Sequence, residues 1–340
     1  MSTSPRAAGG IFLHSGFRSG STWFWQRFRA AAGTRAYYEP FHEVLAQLNP
    51  EALSQLAPQR WASGHPGLDA PYFAEYREAL LPGGGVRFYE TRFAAETYYQ
   101  NEPDEPQAHY LRNLIDRAHE VGAVPVFGFC RSLGRVPWFR SLGRGVNIVT
   151  WRNPWDQWVS CRDQAAIHQN WYFLFRFVLF ACFGARHGRF GPFFSGLDLP
   201  PAPEGIATAQ LGALLGYFDA ANLDSLFRIF LRVYMVDMLT ALQHADYVVD
   251  LDALTMEARQ RRETATALRQ LTGLHDLSFD DCALPRHEVP AEMGEVVRLE
   301  EALSFLTGPG ASVASAHARA LPLLEQRLAN CLERLRRPAA

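Results

Sequence analysis

Two short stretches hold the residues whose types and spacing could do chemistry. Residues 11–23 read IFLHSGFRSGSTW: an apolar run, then Gly16, Arg18, Ser19, Gly20, Ser21 and Thr22, then Trp23 inside a helix-like segment. Where a strand turns into a helix through small residues, the first backbone N–H groups of the helix have no partner within it and can bind an anion. Arg18 adds a permanent positive charge, and Ser21 and Thr22 add hydroxyl donors. The loop is phosphate-binding in kind but not that of a nucleoside triphosphatase. The triphosphatase pattern has four residues between its glycines and then a lysine. Here Gly16 and Gly20 have three between them and no lysine follows.

The second stretch, residues 146–164, reads VNIVTWRNPWDQWVSCRDQ. Asn153 suits a helix N-cap and Pro154 the first helical position. A helix starting there puts Asp156, Ser160 and Gln164 on one polar face, four residues apart. Arg152 stands at the end of the preceding strand, beside that face. A guanidinium and a hydroxyl so placed can hold one phosphate group. In open α/β sheets, ligands bind at the carboxyl ends of strands. The alternative is a plain Asn-Pro cap with an arginine paired to Asp156.

Composition narrows the chemistry. The chain has 340 residues, 33 basic and 35 acidic, for a net charge of -2. All the basic residues other than histidine are arginine, and the absence of lysine points to genomic composition; a bacterial origin is expected. A mechanism needing a Walker lysine, a lysine Schiff base or a kinase strand lysine is excluded. Without a basic excess, duplex nucleic acid is not an expected partner. Hydrophobic residues at 48% and charged residues at 20% allow a large core and exclude global disorder. The five cysteines are scattered and never form a CxxC pair, so reduced thiols in a cytoplasmic protein are expected. The polar opening MSTSPRAAGG lacks the apolar segment of a secretory signal.

The elements that must position these residues follow from hydrophobic periodicity. Strands are expected at 11–14, around 37–38, 86–89, 124–130, 146–151 and 247–251. Helices are expected at 22–32, 107–121, 136–142, 154–168, 205–242 (broken near Asn222), 257–271 and 316–336. Strands alternating with helices predict right-handed βαβ units and a parallel sheet. The expected fold is α/β: a P-loop-like three-layer domain over 11–337, after a flexible tail at 1–10. It carries an aromatic helical insertion at about 165–222. Within that insertion Trp171–Phe183, WYFLFRFVLFACF, is apolar all round and too short to span a bilayer. It reads either as a core helix or as a greasy wall for a lipid-bearing or aromatic acceptor, with peripheral membrane contact.

The two anion motifs together resemble the sulfotransferases that use 3′-phosphoadenosine 5′-phosphosulfate (PAPS). Arg18-Ser19-Gly20-Ser21-Thr22-Trp23 is similar to that family's 5′-phosphosulfate loop, in the arginine form found among its carbohydrate enzymes. Arg152-Asn153-Pro154 with Ser160 resembles its 3′-phosphate step. Ala245–Leu254 followed by Gly273-Leu274 resembles a later strand and helix of the family. The features cover residues 11–275, about four fifths of the chain. The resemblance implies PAPS as donor, 3′,5′-ADP as product, no required metal, and a hydroxyl acceptor on a sugar, glycoconjugate or lipid-linked molecule.

The resemblance also implies a base near the sulfuryl group. Residues 37–43 read YYEPFHE, and a Glu-Pro step after the second strand is similar to the carbohydrate enzymes. Glu39 is the first choice, held extended by Pro40, with His42 and Glu43 in reserve and Glu90 next. Arg131 could bind donor or acceptor, Glu90 and Arg92 could line the acceptor cleft, and Arg286 and His287 fall where some relatives fold a late loop over the nucleotide. Two rival classes stay open: a small-molecule or nucleoside kinase with a non-Walker loop, and a non-catalytic nucleotide-binding or membrane-peripheral protein.

Overall fold

The computed structural model describes residues 7–55, 70–143, 145–200, 223–287 and 292–336. Three expectations therefore lie partly outside the described residues: the tail at 1–6, the 201–222 part of the insertion, and the 205–222 part of the long helix. The chain forms two compact units, one of Met1–Trp151 with His244–Leu284, the other of Arg152–Gln243 with Pro285–Ala340.

The first unit is built on five strands: β1 (Ile11–His14), β2 (Thr34–Tyr38), β3 (Val124–Phe129), β4 (Val146–Trp151) and β5 (Tyr247–Asp250). They form one parallel sheet in the order β2-β3-β1-β4-β5. β1 lies at its centre and all four of its side chains are buried. Continuous rather than alternating apolarity suits a strand covered on both faces. Helices Ser21–Arg29, Glu105–Glu120, Val136–Ser141, Leu251–Met256 and Ala258–Thr272 flank the sheet, giving an α/β fold. Two local expectations change. Val86 makes only an isolated bridge to Leu80, and Arg87 and Phe88 turn away, so 86–89 is no strand. The closing helix begins at Leu321, after a short turn of 3-10 helix at Ser315–His317.

One close approach sets the Ser21–Arg29 helix against the sheet. A Cβ on Gly128 of β3 would lie 2.6 Å from Trp25 Cδ1 and 2.9 Å from Cγ. Both the indole and the strand backbone are buried, so neither can give way cheaply. Gly128→Ala is expected to destabilise the protein by about 1–3 kcal/mol through overpacking. Chemical denaturation measures this, and an unchanged midpoint would show that the helix tolerates displacement.

The described residues of the second unit form helices and connecting turns, with no strand among them. Pro154–His168 and Tyr172–Arg186 pack against Leu223–His244 through aromatic contacts: Trp158 on Phe227 (4.8 Å between centroids) and Phe177 edge-on to Phe230 (5.0 Å). Met293–Thr307 and Leu321–Arg336 complete it. Every side chain from Leu174 to Cys182 is buried, as the core-helix alternative for the aromatic stretch requires. Among the described residues, no helix is long and apolar enough to cross a membrane.

Candidate functional site

β1 ends in His14 and the chain turns through Ser15-Gly16-Phe17-Arg18-Ser19-Gly20 into the Ser21–Arg29 helix. Gly20 occupies the N-cap position in a left-handed conformation, φ 94°, and no side chain caps the helix. A Cβ there would also meet Leu284 at 2.7 Å. By contrast, Asp104 caps the Glu105–Glu120 helix and Asn153 caps Pro154–His168. The first-turn N–H groups after Gly20 are thus left to water or to an anion.

The side chains of the loop divide their roles. Ser19 is buried, and its hydroxyl donates to the Gly16 carbonyl at 2.7 Å, closing the turn. Thr22 meets the Tyr38 hydroxyl at 3.0 Å. Trp23 packs against Phe279, 6.0 Å between centroids. Arg18 is half-buried with φ 59°, in the left-handed region that costs an L-residue about 1–2 kcal/mol. Strain of this kind persists where surrounding structure holds it, and it concentrates at functional sites.

Glu39 comes to the same end of the sheet. Its amide donates to Gly128 O (2.7 Å), extending the β2–β3 ladder, and its carbonyl accepts from the His42 amide (2.8 Å). The chain reverses there, so Glu39 sits at φ 46°. The extended backbone expected from Pro40 is corrected: the turn to His42 outweighs the restriction that proline places on the residue before it. The carboxylate is buried, pairs with the Arg131 guanidinium, and has hydrogen bonds with the side chain and backbone of Cys130. Burial pushes its proton affinity above the ordinary carboxylate range, and Arg131 opposes that rise.

Two short contact chains join this carboxylate to the loop. Cys130 Sγ lies 3.0 Å from Ser21 Oγ, and burial together with Glu39 keeps the thiol protonated. The Arg131 guanidinium lies over the Phe17 ring, 5.1 Å from its centroid. Arg131 is 1% exposed and also reaches Glu43 Oε2 at 3.3 Å. A surface ion pair, the ordinary expectation for an arginine, is thus not its role.

The reserve bases have other partners. His42 Nδ1 accepts from the Val44 amide at 3.1 Å, capping the Glu43–Ala46 turn, and lies 3.4 Å from Glu43 Oε2. Exposed Glu90 pairs with Arg92 (2.6 Å), which in turn forks onto Asp104 at 2.7 and 2.9 Å. A histidine the motifs did not single out, His14, is fully buried. Its Nε2 lies 3.1 Å from Asn147 Oδ1 and its Nδ1 2.7 Å from Ser132 Oγ. An amide oxygen only accepts, so Nε2 carries the proton and Nδ1 accepts from Ser132. Burial lowers its pKa to about 4, so the ring stays neutral and ties three chain segments together.

The second anion motif lies in the helical unit. The helix runs Pro154–His168, as its proline and asparagine predict, with Asn153 Oδ1 accepting from the Trp155 amide at 2.9 Å. Arg152, Asp156, Ser160 and Gln164 are all buried. Arg152 donates to the Pro285 carbonyl, and the amide of His287 donates to Asp156 (2.7 Å). The 285–287 segment therefore lies against the start of this helix. The arginine paired with Asp156 is Arg334 of the last helix, at 2.6 and 3.1 Å, which also donates to His287 O. The Asp156 carboxyl lies below the usual range: burial alone would raise it, and the bonds from Arg334 and His287 outweigh that. Nothing local in the sequence marks Arg334.

No known family model matches the chain, and no curated protein or solved structure matches it either.

Proposed function

We propose that this protein is a sulfotransferase that moves the sulfuryl group of PAPS to an acceptor hydroxyl, on a carbohydrate or glycoconjugate. The observation that carries this reading is the joining of an uncapped, lysine-free anion loop to a buried carboxylate through Cys130 and Arg131. An anion loop alone would serve many ligands. A carboxylate of raised proton affinity beside it supplies the base that transfer to a hydroxyl needs.

In this reading the loop residues Arg18, Ser19, Gly20, Ser21, Thr22 and Trp23 take the 5′-phosphosulfate, while Arg152 and Ser160 hold the 3′-phosphate role that the sequence resemblance implies for them. The acceptor oxygen attacks sulfur in line. The sulfur–oxygen bond to the 5′-phosphate breaks, the hydroxyl proton passes to Glu39, and 3′,5′-ADP leaves. Arg18 and the loop amides stabilise the charge that grows on the departing oxygen. A sulfuryl group carries less charge than a phosphoryl group, so the step does not require a metal.

Thermal denaturation with 3′,5′-ADP, with ATP and magnesium, and with 5′-AMP tests the reading. Stabilisation follows RT ln(1 + [L]/Kd), about 2.7 kcal/mol at 100 Kd of ligand. The largest shift is expected with 3′,5′-ADP. A larger one with ATP and magnesium would favour a kinase, and none with any nucleotide would end both. Arg152→Ala sharpens the test. Loss of a charge-assisted bond should weaken 3′,5′-ADP by about 1.5–3 kcal/mol while hardly affecting adenosine 5′-phosphosulfate, which lacks the 3′-phosphate. Equal weakening of both, by calorimetry, would remove Arg152 from that role.

A further inference from the structure

Arg131 follows β3 by two residues, and its guanidinium is the meeting point of three groups: Glu39, Glu43 and the ring of Phe17 in the anion loop. We propose that Arg131 is a positioning residue that orients the Glu39 carboxylate for proton transfer and ties it to the anion loop. This rests on the sulfotransferase reading.

Three features support the assignment. The planar fork of arginine can give separate N–H groups to two carboxylates while its face lies on an aromatic ring, which the point charge of lysine cannot reproduce. The pair is buried, so a missing partner would leave an uncompensated charge. Glu39 holds a left-handed backbone next to a proline, where strain persists only if surrounding contacts hold it, and Arg131 and Cys130 hold its carboxylate.

The groups facing Glu39 make the test directional. Arg131 and Cys130 approach from the end of β3, Tyr38 from β2, and Tyr76 from the Ala74–Ala79 turn. Glu43 and His42 reach the cluster through the shared guanidinium and through each other. Removing the positive charge of Arg131 raises the proton affinity of Glu39. Removing the negative charge of Glu43 leaves Arg131 wholly to Glu39 and lowers it. A role in packing alone would not move the two variants in opposite directions.

The experiment follows the Glu39 carboxyl carbon by NMR titration in protein labelled with [δ-13C]glutamate, the signal being assigned by its loss in Glu39→Gln. Turnover is measured against pH in parallel, and 3′,5′-ADP affinity by calorimetry. Arg131→Gln should move the titration and the acid limb of turnover to higher pH, lowering turnover on that limb by roughly tenfold or more. Arg131→Lys keeps the charge but not the fork, so it should return the Glu39 titration toward wild type while turnover stays reduced. Glu43→Gln should move the titration and the acid limb to lower pH. The Glu43 side chain is 27% exposed, so this variant tests the idea even if Arg131→Gln fails to fold. An unmoved Glu39 titration in folded variants that still bind 3′,5′-ADP overturns the inference alone. Loss of turnover in Glu43→Gln at every pH also overturns it, by making Glu43 the base. Titrations that move as expected in a protein that does not bind 3′,5′-ADP uphold the Arg131–Glu39 linkage and overturn the sulfotransferase reading instead.

Discussion

Replacing Arg18 by alanine is expected to lower kcat by on the order of 10²–10³-fold, with a much smaller change in affinity for 3′,5′-ADP. The bridging oxygen of PAPS gains charge only as its bond to sulfur breaks. A cation beside it therefore acts more strongly in the transition state than in the ground state, and only such differential binding accelerates the chemical step. The loop suits this use. Arg18 is held in the left-handed region at φ 59°, and the Ser19 hydroxyl closes the turn beneath it at 2.7 Å. Alanine bears the same backbone strain, so the comparison isolates the charge. Arg18→Lys keeps the charge on a different stem and should recover part of the rate. Steady-state kinetics with varied PAPS decides: an effect confined to the KM for donor would mean that Arg18 binds only the ground state.

Glu39→Gln is expected to lower turnover roughly 10²-fold or more while leaving 3′,5′-ADP affinity nearly unchanged. Glutamine keeps the shape and an oxygen that can accept from Arg131, and it loses the ability to take a proton. Glu43 stays to share the buried guanidinium at 3.3 Å, which limits the loss of stability. The pH profile of the native protein carries a matching sign. The base must be ionised to work, and burial raises its proton affinity despite Arg131. Turnover should therefore fall with decreasing pH in a range above that of an ordinary carboxylate, and the limb should vanish with Glu39→Gln. Should His42→Ala abolish turnover while Glu39→Gln stays near wild type, the role belongs to His42. Should both stay active, Glu90 is the next carboxylate to replace.

The legible part of this protein is local. The apolar run of β1, the small residues after it, the Asn153-Pro154 start of the helix ending at His168, and Gly273 at φ 77° closing Ala258–Thr272 each depend on neighbours a few residues away. Strand and helix alternation was enough for a parallel α/β sheet, because a short crossover leaves few ways to return. Tertiary structure alone decided which charges meet. Arg131 finds Glu39 across 92 positions, and Arg334 finds Asp156 across 178. With 33 arginines and 35 acidic residues, the pattern of charge along the chain favours no one pairing over another. Burial then sets what each pairing does: a low-dielectric interior raises the proton affinity of Glu39 and keeps His14 neutral. Neither effect has any trace in residue spacing, because desolvation depends on what the folded chain excludes from around a group.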